Sequence, residues 1–312
     1  MEHFVTLFDA GFLPQGLALH ASLSDHGMPF TLWVICMDEA AEIALTKIEL
    51  PNLRIIPLRE VEAEHPELVI AKQDRTRAEY CWTITPFTPK AVFDRDSTAI
   101  RATYVDADVY FFGTPLRLLQ ELDESNAHVL ITDHAYAPEY VQESTAGRFC
   151  VQFLTFRNTP EGSEILAWWQ ERCIEWCYNR YEDGKFGDQK YLDAWPVMWG
   201  HTVHILQHVD LTLAPWNVQY FLPKNQSPRG MFHFHGLRLF KGGRTRFWCG
   251  YLISRGAALA VYEPYLNRLR QSFATLHRHG VSVPQQEGPR GFLQRIKQFY
   301  RAYTTTEGWA NL

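Results

Sequence analysis

Residues 101–112 read RATYVDADVYFF, an apolar run that breaks at Asp106 and Asp108 and then resumes at once. The run up to Val105 has the composition of a strand buried on both faces, which puts the two carboxylates where that strand ends. In open α/β sheets ligands collect outside the carboxyl ends of strands, and residues two apart on an extended chain point the same way. Two carboxylates then share one site. Held together without a cation they repel and one tends to take up a proton, whereas a divalent metal removes that cost and prefers oxygen ligands. The plain alternative is a pair of solvated turn aspartates, against which the apolar flanks TYV and VYFF argue.

Working outward, Phe4 to Phe8 reads as a buried strand ending at Asp9. Gly11 and Pro14 interrupt it, Gln15 to Asp25 has helical spacing closed by Gly27, and Phe30 to Met37 is a second apolar run. Strand, helix and strand in such short order is the pattern of a parallel sheet. EAAEIALTKIEL then reads as a helix and LRIIPL as a short strand, so the first half is expected to be doubly wound α/β. Residues 73–96 are helical in parts, broken by Pro86 and Pro89. Further strands are expected at Ala99–Tyr104, Ala127–Thr132 and Val151–Phe156, with a helix at Pro115–Leu122. Pro160 opens a long helix running through Ser163 to Arg180, whose Ile165, Trp168, Trp169, Ile174 and Trp176 spread over more than one face, as in a largely buried helix. Beyond His201 short strands and loops are expected, and after Trp248 a helical stretch to the end. The expected organisation is one α/β domain over residues 1–245 followed by a helical C-terminal segment, 246–312.

The chain of 312 residues is 46% hydrophobic and 21% charged, which excludes disordered, collagen-like and disulfide-scaffold classes. Thirty Lys and Arg against thirty-five Asp and Glu give a net charge of −5, no electrostatic footprint for nucleic acid. The six cysteines form no Cys-x-x-Cys pair, so a reducing cytoplasm fits better than a disulfide framework or a structural zinc site. MEHFVTLFDAG lacks the basic start of a signal sequence, and no apolar run is long enough to span a bilayer. Ten Trp suit either a core of large side chains or a surface that stacks on sugars.

Several segments, in order, carry a resemblance. AEYCWTITPFTPKAVFDRD, YVDADVYFFGTPLRLL, GRFCVQFLTFRNTPEG, FGDQKYLD and HFHG, spread between Phe4 and about Gly236, resemble the retaining, nucleotide-sugar-dependent glycosyltransferases of the GT-A fold, especially family 8 and its glycogenin-like members. The resemblance implies that Asp106 touches ribose and metal, that Asp108 is the firmer metal ligand, and that His233 completes the set for Mn²⁺ or Mg²⁺. It further implies that Asp188 bonds the hydroxyls of the donor sugar with Gln189 beside the anomeric carbon. Gln189, an uncharged amide, is a poor nucleophile and would steady an oxocarbenium-like sugar. Asp9 would accept from uracil N3, Gly236 would let backbone approach a phosphate, and Trp216 with Asn217 would stand for the family's aromatic-Asn loop. Each of these residues has a plainer role open to it: Asp188 as a helix N-cap, Asp9 as a turn residue, Trp216 as core, and His233 with His235 as a zinc pair or as polar strand partners.

The chain departs from the family pattern in three places. Cys150, Val151 and Gln152 stand for Asn-x-Gly, which puts an amide beside the donor sugar. Leu239 takes the place of a diphosphate-binding Lys, leaving Arg238 and Lys241 as neighbours, and Ala78 takes that of a donor-binding Lys, leaving Arg77. The expected activity is transfer of a hexose, with retention, from a UDP-sugar to a hydroxyl of a glycan or lipid-linked acceptor. An inverting transferase, with Asp133 or Asp193 as base, is the alternative, and a silent nucleotide-sugar or glycan-binding protein is the third reading. In GFLQRIKQFYRAYT, residues 291–304, Phe292, Ile296, Phe299 and Tyr303 make an apolar stripe among basic residues. That stripe suits either core packing or a helix lying on the inner face of an anionic membrane.

Overall fold

The computed structural model describes residues 1–224, 226–285, 287 and 307–311. In chain order its strands are β1 (Glu2–Phe8), β2 (Phe30–Cys36), β3 (Leu53–Pro57), β4 (Arg101–Val105), β5 (Val109–Phe111), β6 (Val129–Asp133) and β7 (Phe149–Arg157). They continue with β8 (Val203–Ile205), β9 (Thr212–Leu213), β10 (Met231–His233), β11 (Arg238–Leu239), β12 (Arg244–Cys249) and β13 (Glu307–Asn311). Seven of them form the central sheet in the order β3-β2-β1-β4-β7-β6-β8. β1, β2, β3 and β4 run parallel, while β7 is antiparallel to both β4 and β6. The fold is the expected mixed α/β one.

Strand order reverses between β1 and β4, and this fixes where ligands bind. β1 is flanked by β2 on one side and β4 on the other, so the connections leave its carboxyl end in opposite directions and open a crevice there. Asp9 follows β1 and Asp106 follows β4, which puts both at that crevice. All five residues of β4 are buried, with one apolar cluster on each face of the sheet. A third cluster joins Tyr110, Phe232 and Phe234 to Tyr262 and Tyr265 of the helix Arg255–Arg278, so the C-terminal helix shares a core with the strands that carry the site.

Several elements depart from the sequence reading in detail. β4 starts at Arg101, not Ala99, because Asp96 ties up the preceding residues in a turn, accepting from the backbone N–H of Thr98 and Ala99. The helix from Pro160 stops at Glu175, short of Arg180; Trp176 is extended, and Glu79 accepts from the Asn179 backbone N–H at 2.7 Å. The helix expected at Asp188 is a five-residue 3₁₀ turn, Lys190–Ala194, without a side-chain cap, so the N-cap role for Asp188 is not realised. The helical C-terminal region spans Arg255–Arg278, whereas residues 307–311 return as a strand antiparallel to β12. The boundary expected at 245 falls inside β12. The stripe at residues 291–304 lies outside the described residues. Among those that are described, no helix is long and apolar enough to cross a membrane.

A small sheet in the order β5-β10-β9 closes over the carboxyl end of β4. Two glycines let it do so. The backbone N–H groups of Phe112 and Gly113 donate to the Gly230 carbonyl at 2.8 and 3.0 Å. A Cβ on Gly230 would lie 2.2 Å from the Leu211 carbonyl oxygen, and one on Gly113 1.9 Å from that of Arg229. Gly230→Ala is therefore expected to lower the urea midpoint by an amount equivalent to about 1–3 kcal/mol. Because β10 ends at His233, the same substitution should also weaken any ligand that His233 holds; an unchanged midpoint would show that the strands separate freely.

Candidate active site

Asp106 and Asp108 leave β4 in a tight turn, with the Val109 N–H donating to the Asp106 carbonyl at 3.0 Å. The turn, not extended alternation, brings their carboxylates together. The Phe234 N–H donates to the Asp108 carbonyl at 2.9 Å and so pins β10 against the turn. His233, at the end of β10, reaches both acids: its Nε2 lies 3.2 Å from Asp108 Oδ1 and 3.6 Å from Asp106 Oδ2. Behind the ring its Nδ1 donates to Gln152 Oε1 at 3.0 Å, and the Tyr104 hydroxyl donates to Asp106 Oδ1 at 2.7 Å.

The electrostatics follow from this packing. Desolvation pushes the Asp106 carboxyl up, and Asp108 adds to that against the opposing pull of His233. Desolvation acts the same way on Asp108, but the charge and hydrogen bond of His233 outweigh it and hold this carboxyl below its usual range. Desolvation alone would lower the His233 imidazole; Asp108 overrides it, and the ring is raised well above its ordinary value. Asp188 is buried, and desolvation with the nearby Asp106 charge raises its carboxyl strongly. The Cys150 thiol, pushed up by burial, is brought down to about 7 by His134 and His233.

Among the described residues Asp106, Asp108 and His233 form the cluster able to hold a metal ion, each offering one ligand atom with all such atoms within 4.8 Å of one another. Two carboxylate oxygens and one imidazole nitrogen fit a divalent cation tolerant of mixed donors. His235 is outside this set; its ring packs on Trp216 at 5.6 Å.

Asp9 stands at the far end of the crevice. Its Oδ1 accepts from the Gly11 N–H at 2.8 Å and its Oδ2 pairs with Arg77 Nε at 2.6 Å. Arg77 also reaches Asp38 Oδ2 at 2.6 Å, and the three line an open cavity of about 310 Å³ together with Gln15 and Arg238. Asp38 is absent from the sequence-based set. The available signal was its place after β2, where it also caps the helix Glu39–Ile48 by accepting from the Ala41 N–H at 2.8 Å. Asp188 is brought to Asp106, whereas Gln189 turns its amide nitrogen to the Ala146 carbonyl at 2.6 Å. Gly236 has a left-handed φ of 79° beyond His233. Lys241 pairs with Glu287 at 2.7 Å and does not line the cavity; Arg238 does. Leu239 is buried. Trp216 is core, its Nε1 donating to the His134 carbonyl at 2.7 Å, and Asn217 is buried beneath it.

No family model matches the chain. Two Bacillus subtilis (strain 168) proteins are similar in sequence: uncharacterized protein YfnD is 28% identical over 281 residues, covering 86% of this chain and 89% of its own length. Uncharacterized protein YfnF is 28% identical over 251 residues, 76% of this chain and 82% of its own. Among solved structures, galactosyltransferase LgtC in complex with donor and acceptor sugar analogs superposes with a TM-score of 0.53 at 12% identity, over 86% of this chain and 95% of that one. Streptococcus pneumoniae TIGR4 glycosyltransferase GlyE gives 0.51 at 14% over 92% and 67%, and apo mouse xyloside xylosyltransferase 1 gives 0.50 at 14% over 75% and 98%. At such identities the likeness is one of fold, and it assigns this chain the GT-A fold.

The raised His233 sets the sign of a pH effect. Asp108 and Asp106 favour the proton on the ring, and a metal must displace that proton, so affinity for Mn²⁺ should rise with pH. Mn²⁺ at about a hundred times its Kd should stabilise the chain by about 2.7 kcal/mol, read as a thermal shift. Asp108→Asn should lose that shift while remaining folded; an undiminished shift would remove Asp108 from the ligand set.

Proposed function

We propose that the chain is a metal-dependent hexosyltransferase, of the kind that family 8 represents, moving a hexose with retention from a UDP-sugar to a hydroxyl of a glycan or glycolipid. The observation that carries this reading is the convergence of Asp106, Asp108 and His233 at the strand-order switch, between buried Asp188 on one side and the Asp9 cavity on the other. A divalent cation, Mn²⁺ for this mixed oxygen and nitrogen set, supplies Lewis-acid stabilisation of charge developing on the departing diphosphate. In this reading the transferase unit is residues 1–245 and the remainder is its C-terminal segment.

The chain's own groups bind and orient. Asp9 accepts from the base, Arg77 and Arg238 are the cavity-lining cations proposed for the phosphates, Lys241 would have to leave Glu287 to join them, and Gly236 gives backbone access. Asp188, buried beside Asp106, bonds the sugar hydroxyls in this reading. Gln189 is anchored through its amide nitrogen to the Ala146 carbonyl, and in this reading its carbonyl oxygen steadies the sugar at the anomeric carbon. The acceptor then attacks from the leaving-group face, its proton passing to the departing phosphate. The candidate bases of an inverting route are already engaged: Asp133 by Arg148 at 2.7 Å, and Asp193 by Lys190 at 2.9 Å.

The decisive measurement is the anomeric configuration of the product, read by NMR after incubation with UDP-hexoses and Mn²⁺. An inverted product would overturn the retaining route, and absence of turnover with every donor would leave a binding protein. Asp188→Asn should lower transfer by about 100-fold and leave UDP affinity near that of the wild type, since only the sugar end of the donor is touched. The membrane contact expected of residues 291–304 belongs to the same proposal. Replacing Phe292, Ile296, Phe299 and Tyr303 together by Ser, which keeps the β13 strand in the chain, should abolish sedimentation with anionic liposomes and spare donor hydrolysis.

A further inference from the structure

Gln152 is fully buried in β7 and touches the cation cluster twice. Its backbone carbonyl accepts from the Asp106 N–H at 3.2 Å, and its side-chain carbonyl accepts from His233 Nδ1 at 3.0 Å. One residue thus holds the strand that delivers the aspartates and the ring that faces them. The other half of its amide, Nε2, is buried without a hydrogen-bond partner among the described residues. An unsatisfied buried donor is destabilising, and an apolar side chain of the same length would avoid that cost. The side-chain carbonyl is therefore the part with a use.

That use follows from imidazole chemistry. A neutral ring carries its proton on one nitrogen, and only the bare nitrogen binds a metal; the partner of the other nitrogen decides which is which. An acceptor at Nδ1 keeps the proton there when a cation takes the place of the one on Nε2, the atom aimed at Asp106 and Asp108. A reversed amide would donate to Nδ1 and drive the proton to Nε2, where it would block the site. We propose that Gln152 is a positioning residue for the cation site, its side-chain carbonyl fixing His233 in the Nδ1–H form with Nε2 turned to the two aspartates. This rests on the metal-binding reading of the same cluster.

The test compares Gln152→Met, which keeps length and removes the acceptor, with Gln152→Glu, which keeps an acceptor and replaces the orphaned donor. Both are made in the full chain and titrated with MnCl₂ by electron paramagnetic resonance and with CoCl₂ by visible absorption. Gln152→Met should bind Mn²⁺ about 10–100-fold more weakly. Its Co²⁺ bands should move toward those of His233→Ala, and its melting temperature should hold or rise. Gln152→Glu should keep most of the affinity and the wild-type bands. Wild-type affinity in folded Gln152→Met overturns the inference, as does an equal loss in both variants. Should Gln152→Met fail to fold, bands in Gln152→Glu resembling those of His233→Ala overturn it, and wild-type bands sustain it. If the wild-type chain binds neither ion, the metal site itself falls and the role of Gln152 with it.

Discussion

Two carboxylates held side by side at the end of a buried strand repel, and the arrangement around Asp106 and Asp108 answers that repulsion. At a separation of about 4 Å, like charges in partly desolvated surroundings cost about 4 kcal/mol. The Tyr104 hydroxyl takes up one lone pair of Asp106, and the His233 ring sits against both acids. Desolvation and mutual charge leave Asp106 raised while Asp108 is lowered, so the pair titrates apart, held by one imidazole. An ion of charge two would serve both acids at once, and it would do so without a proton.

Holding that imidazole in place accounts for features far from it in sequence. β10 supplies His233 only because β5 and β9 carry it over the end of β4, and those strands meet through glycines at 113 and 230, where any side chain would strike a carbonyl. The helix Arg255–Arg278 backs the same strand with Tyr262 and Tyr265, which pack on Phe232 and Phe234. The C-terminal helix is in this sense part of the site's foundation, although it contributes no ligand.

The parallel strands were legible because burial on both faces leaves near-continuous apolar runs, and β1, β2 and β4 read as such. The aspartate pair was legible for the same reason: polar residues interrupting a run of that kind mark where it ends. Other features depended on partners distant in sequence. Nothing near Trp176 announces that Glu79 claims the backbone at Asn179 and ends the helix. Asp38 reads as an ordinary helix cap, and only the fold brings it across to Arg77. Gln152 looks like a polar residue misplaced in an apolar strand, and its use becomes visible only when His233, in a different sheet, is seen against it.

The two ends of the crevice are built to different tolerances. At the Asp106 end the side chains are largely buried, with Asp106 held by Tyr104 and His233 by Gln152, so a ligand finds groups already aimed. At the Asp9 end, Arg77 bridges two carboxylates while its side chain stays 59% exposed. Pairs so open to solvent are each worth about 1 kcal/mol or less. A ligand of micromolar affinity brings about 8 kcal/mol, ample to turn the guanidinium from Asp9 and Asp38 toward an anionic group. Asp9, relieved of its cation, would then be free to accept from a ring N–H, its other oxygen still fixed by Gly11. Preorganised acids at one end and a movable arginine at the other are complementary arrangements, since only the first must be exact before a ligand binds.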